Sequence, residues 1–279
     1  MDLASIYQQA VYQVEMHHKL WFSEGEISKA IGLNGFMMEG LLIDTGQVHM
    51  QKEIREVVGA HPIEQVFLTH HHEDHSGNLA MVKQTTQAPI YASPDCIELM
   101  KAPPPISLAQ KLTWGDRPPF TELIPKANCL ETPNHRFQLI PVPGHAKDMV
   151  ALYDPERAWL FSADAWVSPY IKYFMRPESM AEQIQTLERL GQLAVEVLFC
   201  SHNPKLSGGQ ALLKQKQQFL EDFYGRVVQE WEKGKSVPAI RRAMGRKENL
   251  FLKCLSGGEL SLYNMIASVI RDEEKQAES

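Results

Sequence analysis

The sequence predicts an α/β protein, and three observations carry the prediction. Short β-prone runs recur along the chain with helical patterns between them. Histidines and aspartates fall just past the ends of those runs, where loops from one edge of a sheet can converge. The 279-residue length is enough to bury one large α/β core, or a domain with an appendage.

The elements follow in order. Asn34 to Ile43 reads as a hairpin turning near Glu39-Gly40, and Asp44-Thr45-Gly46 leads into a helical stretch through Val58 that Asp44 is placed to cap. Gln65 to Thr69 is a β-prone run ending at His70. Lys101 to Pro125, with Pro103-Pro104-Pro105 and Pro118-Pro119, reads as a long surface connection that borders the site. Phe137 to Val142 reaches His145 through Pro143-Gly144, an entry that Pro141, Pro143 and Gly144 stiffen and bend. Trp159 to Ala163 ends at Asp164, and Val195 to Cys200 ends shortly before His202. Between these two runs, Ser179-Met180-Ala181-Glu182 fits a capping box, and Ile184, Leu187 and Leu190 continue one helical face up to Gly191.

Beyond Ser207 the pattern turns helical over Leu212 to Trp231, Val237 to Met244 and Leu260 to Ile270. The expected organisation is therefore a catalytic domain over residues 1–206 and a C-terminal helical extension over 207–279, packed on or beside it.

Composition excludes several classes. An apolar content of 44% with 22% charged residues is that of an ordinary globular chain. The longest apolar stretches, Gly40 to Ile43 and Ala194 to Cys200, fall far short of the roughly 18 residues that span a bilayer. Met1-Asp2-Leu3-Ala4-Ser5 carries no basic region followed by an apolar segment, so the expected location is cytoplasmic, with no membrane partner. Cys96, Cys129, Cys200 and Cys254 are scattered without a CxxC pair and read as reduced, mostly buried thiols. The net charge of −6 is uneven. Residues 205–279 hold 13 Lys+Arg against 10 Asp+Glu, leaving 15 against 24 for the rest. An acidic catalytic portion favours a small-molecule substrate over a nucleic acid.

The chemistry begins at Thr69-His70-His71-His72-Glu73-Asp74-His75. Imidazole nitrogen and carboxylate oxygen are ligands that borderline divalent ions such as zinc accept, and His70 and His72 can point to one side of an extended backbone. His71 then faces away, and with His17, His18, His49, His61 and His135 it reads as surface or structural. The candidate ligands are His70, His72, Asp74, His75, His145, Asp164 and His202, too many for one tetrahedral ion and better matched to two.

The HxHxDH loop, the Pro143-Gly144-His145 turn, the Ser162-Ala163-Asp164 strand end and the late Ser201-His202 resemble the metallo-β-lactamase superfamily, as does Asp44-Thr45-Gly46. The matches run in that family's order from residue 44 to 202. The resemblance implies an αββα four-layer sandwich with a dinuclear site. By it, His70, His72 and His145 hold one ion, Asp74, His75 and His202 the other, and Asp164 bridges both. Zinc is the expected metal, with iron and manganese as alternatives.

The implied reaction is hydrolysis by a hydroxide shared between the ions, acting on an ester, thioester, lactone or related acyl bond. Asp164 holds the metals and Asp74 orients the nucleophile or accepts a proton. A divalent ion lowers the pKa of bound water from about 15.7 toward about 7. The same fold also hosts phosphodiesterases, endoribonucleases and mononuclear iron persulfide dioxygenases, which stand as alternatives. Its di-iron flavoproteins carry a glutamate where this chain has His72, which favours hydrolysis over oxygen reduction. Seven filled ligand positions disfavour a non-catalytic binding protein.

Tyr170 and Tyr173, close after Asp164, are candidate substrate contacts. The helical tail is similar in placement to tails of glyoxalase II-like thioesterases and lactamase-like endoribonucleases, and a homodimer surface is its alternative use.

Overall fold

The structure is a computed structural model and describes residues 12–16 and 33–278. Met1 to Ser5, read above for a leader, and His17 and His18 lie outside the described residues.

Two sheets form the frame. The first has six strands in the order β1 (Tyr12–Met16), β2 (Leu33–Met38), β3 (Leu41–Ile43), β4 (Gln65–Leu68), β5 (Ile90–Ala92) and β6 (Leu123–Pro125). Its β3 to β6 run parallel, and β1, β2 and β3 pair antiparallel. The second orders β11 (Val197–Cys200), β10 (Trp159–Ala163), β9 (Val150–Asp154), β8 (His135–Pro141) and β7 (Cys129–Thr132). In it β10 and β11 run parallel and the other neighbours antiparallel.

Side-chain alternation sorts residues into three apolar layers. Phe36, Met38, Leu41, Ile43 and Phe67 of the first sheet meet Phe137, Leu139, Leu152, Trp159, Phe161, Val197 and Phe199 of the second. Within this layer Phe161 stacks on Phe199 at 4.3 Å, and Phe36 meets both rings edge-on. The alternate residues Met37, Leu42, Val66 and Leu68 pack outward with Ile54 and Val58 of helix Gln51–Ala60, Leu79 and Val82 of helix Leu79–Thr86, and Cys96 and Met100 of helix Pro94–Lys101. On the far side, Ala151, Leu160, Leu198 and Cys200 face the helices Met180–Leu190, Gly209–Trp231, Val237–Ala243 and Leu262–Glu278. The result is helix, sheet, sheet, helix, as expected. The helices Gly209–Trp231, Val237–Ala243 and Leu262–Glu278 share one continuous core with the second sheet.

Asn34 to Ile43 is the expected hairpin, turning through Glu39 and Gly40 at φ 46 and 77. Ser179 accepts from the Glu182 amide at the start of its helix. Lys101 to Pro125 departs from the expected surface connection. It holds helix Leu108–Trp114, closed at its start by a Ser107 and Gln110 capping box, and ends in β6. Its Arg117 is buried, because the guanidinium has backbone and carboxylate acceptors waiting beneath it. A short helix, Leu250–Leu255, also adds to the helices expected in the tail. Among the described residues, no helix is long and apolar enough to cross a membrane.

Candidate metal centre

The site gathers where strands of both sheets end. Past β4, the Thr69 amide and hydroxyl donate to the two oxygens of Asp44, at 2.8 and 2.9 Å. Asp44 lies in the left-handed region, φ 63, a conformation that aspartate tolerates better than most residues. Its amide donates to Phe67 O, and its Oδ2 lies 2.8 Å from His75 Nδ1. The expected helix cap is thus corrected: Asp44 faces the neighbouring strand's loop, and the cap residue of Gln51–Ala60 is Met50, with no side-chain bond. Gly77 closes the loop, since a Cβ there would sit 2.8 Å from Glu73 O and Val48 N.

The later residues arrive on tight turns. Gly144 has φ 125, and a Cβ on it would lie 2.6 Å from the Gln183 nitrogen, so this approach to His145 requires glycine. The register shifts at the end of β10, and Ala163 takes φ 45, which turns Asp164 off the strand. His202 lies two residues past the end of β11.

These turns bring all seven predicted donors together in two groups. Ligand atoms of His70, His72 and His145 lie within 4.8 Å of one another, and so do those of Asp74, His75, Asp164 and His202. His72 Nδ1 stands 3.0 Å from His145 Nε2. Asp164 Oδ2 joins the groups, at 3.3 Å from His202 Nε2 and 3.5 Å from both His75 Nε2 and His145 Nε2. Asp74 Oδ2 lies 3.6 Å from His202 Nε2 and 3.7 Å from His75 Nε2.

The donors differ electrostatically, and the first group is itself mixed, since His145 is raised, with Glu178 prevailing over burial. Burial, then the neighbouring imidazoles, holds His70 and His72 well below the usual histidine range. Burial also opposes a proton on His75, but Asp74, Asp164 and Asp44 outweigh it and raise His75 well above that range. His202 is likewise raised to about 9, with Asp164 prevailing over burial. Burial would raise Asp164, yet His202 and His75 hold it well below the carboxylate range.

Divalent ions fit these residues. His70 Nε2, His75 Nε2 and Asp164 Oδ1 are buried without a hydrogen-bond partner among the described residues, a state disfavoured for polar atoms unless something else binds them. Five imidazoles and two carboxylates suit borderline ions, and Asp164 Oδ2 is in reach of both groups. Residues 38–202, more than half of the chain, match the metallo-beta-lactamase superfamily. The chain belongs to that superfamily.

Two relatives are hydroxyacylglutathione hydrolases. That of Pectobacterium carotovorum subsp. carotovorum (strain PC1) is 24% identical over 222 residues, 77% of this chain and 78% of the relative. That of Serratia proteamaculans (strain 568) is 26% identical over 219 residues, with the same shares. Among solved structures, a metallo-beta-lactamase family protein from Thermus thermophilus superposes with a TM-score of 0.66 at 16% identity, covering 95% of this chain and 94% of its own.

Around the seven donors stand residues not singled out from sequence. Asp148 takes the His71 amide and ring Nδ1, each at 2.8 Å, which turns His71 away from the groups. Gln110 donates to Glu73 Oε1 at 2.9 Å, and Arg117 lies 3.5 Å from Glu73 Oε2 while also donating to His71 O. The 101–125 segment therefore braces the histidine loop. Lys216, buried in helix Gly209–Trp231, donates to Ala165 O at 2.8 Å. The Tyr170 hydroxyl accepts from Gln215 at 2.9 Å and that of Tyr173 from Asn249 at 3.4 Å, so both reach the C-terminal helical region. His135 is structural, buried between Phe137 and Trp159 with Nδ1 2.7 Å from Asp154.

Proposed function

We propose that this protein is a dinuclear metal-dependent hydrolase of acyl bonds, with thioesters as its substrate class and zinc as its metal. One observation carries the reading: Asp164 Oδ2 lies within 3.5 Å of histidines from both groups, where a bridging carboxylate belongs. His70, His72 and His145 would hold one ion, Asp74, His75 and His202 the other, with Asp164 shared. Ions so held supply Lewis acidity toward the substrate carbonyl and water that ionises near neutral pH.

The chain's own residues do the rest. Asp74 is held 3.6 to 3.7 Å from His202 and His75 and is mostly buried, so its carboxylate orients the attacking water and receives its proton. Water oxygen bonds to the acyl carbon, the carbon–sulfur bond breaks, and the thiolate leaves to be protonated. The charge on Asp164 is sustained by His75 and His202. Tyr170 and Tyr173, on the loop after Asp164, contact the substrate in this reading. The choice of thioester rests on the two hydroxyacylglutathione hydrolases, which align with 77% of the chain.

The test pairs metal analysis by mass spectrometry with a panel of thioesters, lactones, β-lactams and RNA. Two transition-metal ions per chain and preferential thioester turnover that drops more than about 100-fold in Asp164→Ala are expected. Turnover unchanged in Asp164→Ala sinks the mechanism, and a single iron per chain points to a dioxygenase instead.

A further inference from the structure

The turn after Phe174 places Glu178 behind His145. Glu178 is 6% exposed, and its Oε2 stands 3.4 Å from His145 Nδ1, the ring nitrogen facing away from His72. The same oxygen accepts from Gln183 Nε2 at 2.7 Å, and Oε1 accepts from the Met175 amide at 2.7 Å. One residue on, the Ser179 amide donates to Gly144 O at 2.9 Å. A single turn therefore holds both the backbone leading into His145 and the far side of its ring.

That turn is gripped by helix Leu262–Glu278. Ser268 Oγ accepts from the Met180 amide and Asp272 Oδ2 from the Ala181 amide, each at 2.9 Å. Asp272 Oδ1 accepts from Ser179 Oγ at 3.0 Å, and Arg271 donates to the carbonyls of Arg176 and Glu178 at 3.0 and 3.1 Å. Asp272 is buried. The first amides of helix Met180–Leu190 are thus satisfied from another helix, which fixes where the turn can lie.

We infer that Glu178 is a positioning residue for His145, and that the final helix, acting through Asp272, holds Glu178 in place. A carboxylate at Nδ1 keeps the proton on that nitrogen and leaves the Nε2 lone pair free, which orients the ring and strengthens it as a ligand. The C-terminal helices are by this inference part of the metal centre's support. The inference rests on the metal centre proposed above.

The experiment uses the full chain as wild type, Glu178→Gln, Glu178→Ala and Asp272→Asn. Zinc stoichiometry and affinity are measured by competition with a chromophoric chelator, the cobalt(II) visible spectrum is recorded, and unfolding is followed without metal. Glu178→Ala should weaken one of two zinc sites about 10- to 100-fold and alter the cobalt spectrum, with the other site unchanged. Glu178→Gln keeps an acceptor oxygen and should recover part of the loss. Asp272→Asn, which contacts none of the seven donors, should weaken the same site several-fold.

Equal zinc affinity at both sites in Glu178→Ala and wild type overturns the assignment, even if the unfolding midpoint drops. Unchanged affinity in Asp272→Asn overturns the role of the final helix. A wild type that binds no zinc or cobalt overturns the underlying metal centre, whatever the variants do.

Discussion

His75 Nδ1 lies 2.8 Å from Asp44 Oδ2, and both side chains are buried. The carboxylate can only accept, so this bond places the proton on Nδ1 and aims Nε2 at Asp74 and Asp164. Asp44→Ala removes that acceptor and strands the Thr69 amide, leaving the Thr69 hydroxyl only His70 Nδ1 at 3.0 Å. The expected outcome is an affinity loss of about 10- to 100-fold at the ion proposed for Asp74, His75 and His202, measured by chelator competition.

Metal uptake should release protons. In the ion-free chain His75 is raised well above the ordinary histidine value and His202 is raised to about 9, so both carry protons at neutral pH that a metal must displace. His70 and His72 are held low and are already neutral. Apparent affinity should therefore climb as pH rises through about 9, where His202 loses its proton. Calorimetry at pH 7 in buffers of different ionisation enthalpy reads the release directly, and an absence of net release contradicts the assignment.

Arg117→Ala should destabilise the fold by about 3 kcal/mol, the lower end for breaking a buried ion pair. Burial and Asp74 already raise the Glu73 carboxyl, so the orphaned group can escape by taking a proton. A folded-state value raised above the unfolded one means stability is retained at low pH and lost as pH rises through it. The deficit of the variant should accordingly widen from pH 5 to 7 in urea unfolding.

Lys216 gives the opposite slope. Burial lowers its ammonium from 10.5 to about 8. Between those values the unfolded chain keeps a proton that the folded chain has lost, so stability rises with pH across that window. Relative to Lys216→Met, the wild type should gain up to roughly 3 kcal/mol between pH 8 and 10.5, read from guanidinium midpoints.

The site was legible where its donors are adjacent in sequence or mark strand ends. The histidine loop supplies four donors within six residues, and Asp164 and His202 each follow a buried apolar run. Asp148, Glu178, Arg117 and Lys216 looked like any charged residue, because packing across the fold is what buries them and supplies their partners, while Asp44 stood out in Asp44-Thr45-Gly46 but read as a helix cap. β5 and β6 are three residues each, too short to display a period of two. The helix at Leu108–Trp114 did carry a signal, since Ser107 and Gln110 form an S-x-x-Q capping box that the flanking prolines obscured.

The ligand groups draw on both sheets, with His70 and His72 following β4 and His145 following β8. An ion shared by these three residues would be a non-covalent cross-link between halves of the molecule that also meet through an apolar layer and a few hydrogen bonds, such as His71 to Asp148 and the Val150 amide to Thr69 O. Without metal, each half can open to solvent at its own free energy; with metal, opening either one means breaking coordination. Amide hydrogen exchange should then report two cooperative units in the ion-free chain and one in the loaded chain, so that the proposed metal centre also sets the size of the unfolding unit.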